Sequence, residues 1–164
     1  NMRQISWEPV SESIALRWAT QCTPGHDKCR ITKEFSSVGQ NYGLLGNDVD
    51  FPNSKGIFEG WVDEIKLISD PKSMIANFQG GNWGHFTQVI WAESFKLGCG
   101  EIHTNQLAIK TTITVCNYAT GGNLLSGRIY EEGEPCSKCP NGTKCWEGSS
   151  YPHLCALKSD DKKP

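Results

Sequence analysis

Eight cysteines in a chain of 164 residues constrain this protein more than any other feature. Cysteines at that density belong to an oxidising compartment, so the sequence predicts a secreted, extracellular protein held in part by disulfides. The constraint is tightest near the C-terminus, where Cys136-x2-Cys139-x5-Cys145-x9-Cys155 runs through a segment almost without aliphatic residues. Such a segment cannot bury enough apolar surface to fold unaided, so covalent links must hold it. A zinc knuckle is the competing reading of four cysteines. The run lacks a second close pair and any matched histidine spacing, and a secreted context favours disulfides. Asn141-Gly142-Thr143, inside the same run, is an N-glycosylation sequon. A composition shift over 131–134 divides the chain into a main domain at 1–130, a cysteine-rich module at 131–157 and a charged tail at 158–164.

The net charge is −2, with both signs mixed along the chain, so there is no electrostatic footprint for nucleic acid. No run of about eighteen apolar residues is present, hence no membrane-spanning helix is expected, and a monomer is. The chain opens at Asn1-Met2 without a leader-like segment and reads as a mature or partial form.

Residues 7–22 read as a helix, with Val10, Ile14, Trp18 and Cys22 recurring every fourth position and Ser6 as its N-cap. Cys22 to Cys29 is a loop turned by Pro24-Gly25, and 38–45 is a short glycine-broken strand. A helical period returns over 54–69 through Ile57, Phe58, Trp61, Ile65 and Ile68, and Asp70-Pro71 ends it. Glu64 falls on or beside that apolar stripe, where a carboxylate needs a partner. Residues 76–81 read as loop. Beyond them, 97–104 and 109–118 read as neighbouring strands that carry Cys99 and Cys116, which we pair. In the second strand Ile109, Thr111, Ile113 and Val115 face one way and Lys110, Thr112 and Thr114 the other. Helices interleaved with a few antiparallel strands predict a layered α+β domain.

Between these strands and the second helix lies the segment 82–94, NWGHFTQVIWAES. His85 follows a glycine at what reads as a helix start, with Phe86, Val89, Ile90 and Trp91 on one face behind it. A helix N-terminus disfavours an added proton, so His85 is expected to stay neutral with a ring nitrogen free as acceptor or ligand. The run Gly84-His85-Phe86-Thr87-Gln88-Val89-Ile90-Trp91 resembles the first signature of the CAP superfamily, which comprises cysteine-rich secretory, antigen-five and pathogenesis-related proteins. Val115-Cys116-Asn117-Tyr118-Ala119 with Gly122-Asn123-Leu124 resembles the second. The likeness covers roughly residues 1–130, is nearest to arthropod antigen-five-like members, and implies an α-β-α sandwich followed by a cysteine-rich hinge. By the same likeness Cys136 pairs with Cys145 and Cys139 with Cys155. Family domains usually begin with a further helix whose cysteines pair with positions like Cys22 and Cys29. Either these two bridge each other here, or residues preceding Asn1 are missing from the chain.

The resemblance also implies a cleft with two histidines and two glutamates where a divalent metal binds. His26 and His85 match the histidines and Glu64 one glutamate. The other position, in Gly39-Gln40-Asn41, is a glutamine, which cannot carry charge but can accept a hydrogen bond. Two imidazoles then make an open, weak site for Zn2+ or Cu2+, since a tight one takes three or four protein ligands. A metal-dependent hydrolase, with Glu64 activating a bound water, lacks a third ligand and any evident nucleophile. The leading expectation is therefore a non-enzymatic protein that binds a small lipid, a sterol or fatty acid, as family members do. Phe78 and Trp83, flanking Gly80-Gly81, are the expected pocket-lining aromatics. The alternative is an interaction protein of venom or saliva type whose hinge engages an extracellular receptor or channel.

Overall fold

A computed structural model describes residues 1–157 and Ser159; the rest of the charged tail lies outside the described residues. Four strands form one sheet: β1 (Ser6–Trp7), β2 (Val38–Asn47), β3 (Lys96–Leu107) and β4 (Ile109–Ala119), in the spatial order β1-β3-β4-β2. β1 runs parallel to β3, and the other pairs are antiparallel. Helix α1 (Pro9–Ala19) covers one face, where Ala15 and Ala19 pack on Ile113 and Val115. Helices α2 (Lys55–Asp63) and α4 (Gly84–Val89) cover the other, where Ile57, Trp61 and Val89 pack on Cys116 and Tyr118. The result is the α-β-α sandwich of an α+β domain.

α1 lies flush on the sheet because β3 carries glycine at 98 and 100. A Cβ on Gly98 would stand 2.1 Å from the backbone nitrogen of Glu12, and one on Gly100 would stand 2.3 Å from the Cα of Leu16. The helix meets this bare surface with its small residues, so Ser11, Ala15 and Ala19 are buried while Val10 is 54% exposed. Of the expected stripe Ile14 is buried and Val10 is not, while Ala15 and Ala19 beside it carry the contact with the sheet. The cap differs as well. Ser6 is taken into β1, and Glu8 caps the helix, its carboxylate accepting from the N–H groups of Val10 at 3.1 Å and Ser11 at 2.5 Å.

Two further elements depart from the sequence reading. The helix expected over 54–69 ends at Asp63 and continues as a single 3-10 turn, Glu64–Leu67. Asp70-Pro71, read as a terminator, starts a short helix α3 (Pro71–Ala76), with the Asp70 side chain accepting from Ser73 N–H at 3.1 Å. An acceptor followed by proline fits a helix start as well as a stop, because proline at the first position gives up a hydrogen bond that is absent there anyway. α3 supplies Met74 and Ile75 to a separate cluster with Phe78, Trp91 and Ile129.

Disulfides join Cys99 to Cys116, directly opposite each other on β3 and β4, Cys136 to Cys145, and Cys139 to Cys155. The C-terminal module is tied to the start of the chain. Gln4 N–H donates to the Cys155 carbonyl at 2.9 Å, and Cys155 N–H to that of Met2 at 2.8 Å. The expected Cys22–Cys29 bridge is not formed, and both thiols are free. Cys22 packs against the cluster beneath α1, whereas Cys29 is exposed and its carbonyl accepts from Arg17 Nη2 at 3.1 Å. One thiol faces the core and the other the solvent. Asn141 is exposed, in a turn where Thr143 Oγ1 donates to the Pro140 carbonyl at 2.7 Å.

The Glu8 cap gives a pH-dependent prediction. Partial burial pushes this carboxyl upward, but the donors at Ser11 and Val10 outweigh it and hold it below its ordinary value. A carboxyl lowered on folding stabilises the protein above its unfolded value and loses that contribution as pH falls through the folded one. Glu8→Gln is expected to cost roughly 0.5–1 kcal/mol at neutral pH. In urea titrations the gap from wild type closes as the pH drops below about 4.

Candidate functional site

α4 is only six residues long, too short to persist unaided. Its first turn is held from three directions. Glu64, presented by the 3-10 turn, accepts from Phe86 N–H through Oε2 at 3.0 Å and meets His85 Nδ1 through Oε1 at 2.6 Å. Asn123 Nδ2 donates to the Gly84 carbonyl at 2.7 Å, and its Oδ1 accepts from Thr87 Oγ1 at 2.7 Å. Asn41 Nδ2 donates to the His85 carbonyl at 3.1 Å. The ring of His85 also lies nearly parallel to that of Trp61, at 14° with centroids 5.8 Å apart. The break in the second helix thus has a use: it turns Glu64 away from the α2 stripe and toward α4.

A carboxylate offers only lone pairs, so Nδ1 of His85 carries the hydrogen and Nε2 is the free nitrogen. His26 is arranged in parallel. Its Nδ1 lies 3.0 Å from Oε1 of Gln40, an oxygen that also accepts from Asp27 N–H at 3.3 Å. Among the described residues neither Nε2 has a protein partner. His26, Gln40, Glu64 and His85 line one cleft of about 380 Å3, together with Asn41, Asn82, Asn123 and the backbones of Gly81 and Gly84.

These walls carry imidazole, carboxamide and carboxylate groups, and no aliphatic side chain. Phe78, expected to line a pocket, is instead buried at 4% exposure, edge-on to Trp91 with centroids 6.0 Å apart. Trp83 lines a different hollow of about 180 Å3, beside Met74 and Asp70. Both were placed by their loop context, but the loop folds back on the α3 cluster and takes the rings with it. Asn82, Asn123, Asp27 and Asn117 were not singled out as site residues. Asn117 and Asn123 both lie in the second signature-like run and Asn82 stands just before the first, but nothing in their spacing says which groups they bond.

Two imidazoles with Nδ1 tied and Nε2 free fit a weakly held divalent cation. Among the described residues both Glu64 oxygens and the Gln40 oxygen are already engaged in hydrogen bonds, so neither side chain is a ready third ligand. Among the described residues Cys139, Cys145 and Cys155 do bring three sulfurs within 4.8 Å of one another, but all three are oxidised in disulfides and are not thiolate ligands. Deeper in the cleft wall, burial pushes the Tyr118 phenol well above its ordinary range, although the hydrogen bond from Asn41 acts the other way.

Residues 1–118 match the family described as CAP, the cysteine-rich secretory protein family. A cysteine-rich venom protein of Tityus serrulatus is 37% identical over 98% of this chain and 39% of its own length. A venom allergen 5 of Rhynchium brunneum is 38% identical over 80% of this chain and 58% of its own. The chain thus spans from two-fifths to three-fifths of the length of these relatives. Among solved structures, BmVAL-1 superposes with a TM-score of 0.71 at 28% identity, covering 94% of this chain and 76% of that one. The crystal structure of NaASP2 with Zn2+ gives 0.69 at 27%, covering 86% and 73%.

Glu64 should be worth more to the fold than a surface carboxylate. Glu64→Ala leaves the Phe86 N–H and the His85 Nδ1–H without acceptors in a half-buried place, an expected loss of about 1–3 kcal/mol in urea denaturation. Glu64→Gln, with one accepting oxygen instead of two, should fall between that variant and wild type.

Proposed function

The chain belongs to the CAP superfamily of cysteine-rich secretory proteins and is most like its arthropod antigen-five members; from that premise we propose a secreted, extracellular binding protein rather than an enzyme. The central cleft takes a divalent cation, Zn2+ or Cu2+, through Nε2 of His26 and Nε2 of His85. The observation that carries this reading is the pair of tied Nδ1 atoms, which leaves the same nitrogen free on both rings. The crystal structure of a relative with Zn2+ supports it. Bound there, the ion would supply a positive charge with open coordination positions for water or an anionic ligand. Glu64 is committed to His85 and to the end of α4, so it is a poor general base, which weighs against hydrolysis.

Isothermal titration with Zn2+ and with Cu2+ tests this. Wild type should bind one ion with modest affinity, and His26→Ala/His85→Ala should lose that binding while keeping its unfolding free energy within about 1 kcal/mol of wild type. Equal binding by wild type and the double variant refutes the cation reading.

A small hydrophobic ligand is the second reading, and one observation moves it out of the polar cleft. A hollow of about 430 Å3 lies between the start of α1 and the 32–35 loop, lined by Val10, Thr32 and Phe35 together with the charged Glu8, Lys33 and Glu34. Its volume suits an acyl chain. Val10→Asp should abolish uptake of a fluorescent fatty acid, whereas His26→Ala/His85→Ala should leave it unchanged.

A further inference from the structure

The hydrogen bonds around Gln40 run in one direction only. They start at the Ser11 carbonyl, which can only accept. Asn117 Nδ2 donates to it at 3.2 Å, so the Asn117 oxygen must face the other way, and the residue is completely buried. Gln40 Nε2 donates to that oxygen at 2.9 Å and to Asp27 Oδ1 at 3.2 Å. Both are acceptors, so an inverted Gln40 amide would set oxygen against two oxygens. Asp27 is itself fixed by Arg30, whose Nη1 lies 2.9 Å from the same Oδ1 and whose Nε donates to the Val38 carbonyl at 2.8 Å. Gln40 Oε1 is thereby aimed at His26. The His26 residue is otherwise exposed, and among the described residues Gln40 is the one group that bonds its ring.

We propose that Gln40, oriented by Asn117 and Asp27, is a positioning residue that fixes His26 as its Nδ1–H tautomer and leaves Nε2 as its single ligand nitrogen. The use of this arrangement rests on the cation reading above, but the arrangement itself exists without metal. It does for His26 what Glu64 does for His85, with an amide in place of a carboxylate. It also gives the glutamine a reason. A glutamate at position 40 would bring a carboxylate against the Asp27 carboxylate and the Asn117 oxygen with no hydrogen to donate to either. The second carboxylate of the family cleft is therefore excluded here by the residues around it. His85, backed by a charged acceptor, is the stronger electron donor to a cation of the two, since a carboxylate on the far nitrogen strengthens an imidazole ligand.

The test reads the tautomer directly, by long-range 1H–15N NMR on the metal-free protein. Free histidine in water favours the hydrogen on Nε2, so the expected wild-type pattern, hydrogen on Nδ1 of His26, is not a default. Gln40→Leu, which removes the acceptor, should move His26 to predominantly Nε2–H while His85, held by Glu64, keeps its pattern. Gln40→Glu should retain the Nδ1–H pattern but lower the urea midpoint at neutral pH. Asp27→Asn added to Gln40→Glu should recover much of that loss, because an amide at 27 can donate to the new carboxylate. A wild-type His26 with its hydrogen on Nε2 overturns the proposal. So does an unchanged tautomer in Gln40→Leu, or a Gln40→Glu variant as stable as wild type. A protein that binds no Zn2+ yet shows the expected tautomers refutes the cation reading and leaves this assignment standing.

Discussion

Burying both faces of β4 obliges every polar side chain on that strand to find a partner inside the protein, and the site is built out of how they do so. Thr112 Oγ1 donates to the Pro52 carbonyl at 2.6 Å, which ties the 48–54 connection to the sheet. Asn117 bonds α1 on one side and Gln40 on the other. Tyr118 accepts from Asn41 at 3.4 Å, and Asn41 in turn holds the first turn of α4. An unpaired polar group at such depth costs about 1–3 kcal/mol, so these contacts are required of the fold. The cleft forms at the end of the sheet where the required partners converge.

The other half of the cleft depends on a helix too short to stand alone. α4 leaves unsatisfied N–H groups at its start, and Glu64 supplies the acceptor from a segment where the second helix has already tightened into a 3-10 turn. The same carboxylate then fixes the ring of His85. Stabilising the helix and orienting the imidazole are one interaction, so loss of Glu64 disturbs both.

Covalent links add stiffness where packing is thin. Cys99–Cys116 joins two strands that the ladder already pairs, whereas the two C-terminal bridges enclose a segment with little core of its own. Backbone bonds to Met2 and Gln4 tie that segment to the stretch that leads into β1. The hollow by Phe35 and the cleft by His85 share no lining residue.

Several features were legible without coordinates. The cysteine density, the run around His85, the alternation through Ile113 and Val115, and the helical period through Ile57 and Trp61 are all local patterns. They report the compartment, the family and the elements, because each is set by neighbours within a few residues. What the tertiary structure alone decided are matters of partner and orientation. α1 turned its small residues inward because Gly98 and Gly100 lie across from it. Cys22 packs partly buried against the α1 cluster while Cys29 is exposed, and no bridge joins them. Which nitrogen each histidine keeps free was settled by contacts spanning 14 residues for His26 and 21 for His85, and by an amide chain reaching across 77 and 106. Hydrogen-bond direction depends on what a group meets in space, and no spacing in the sequence encodes it.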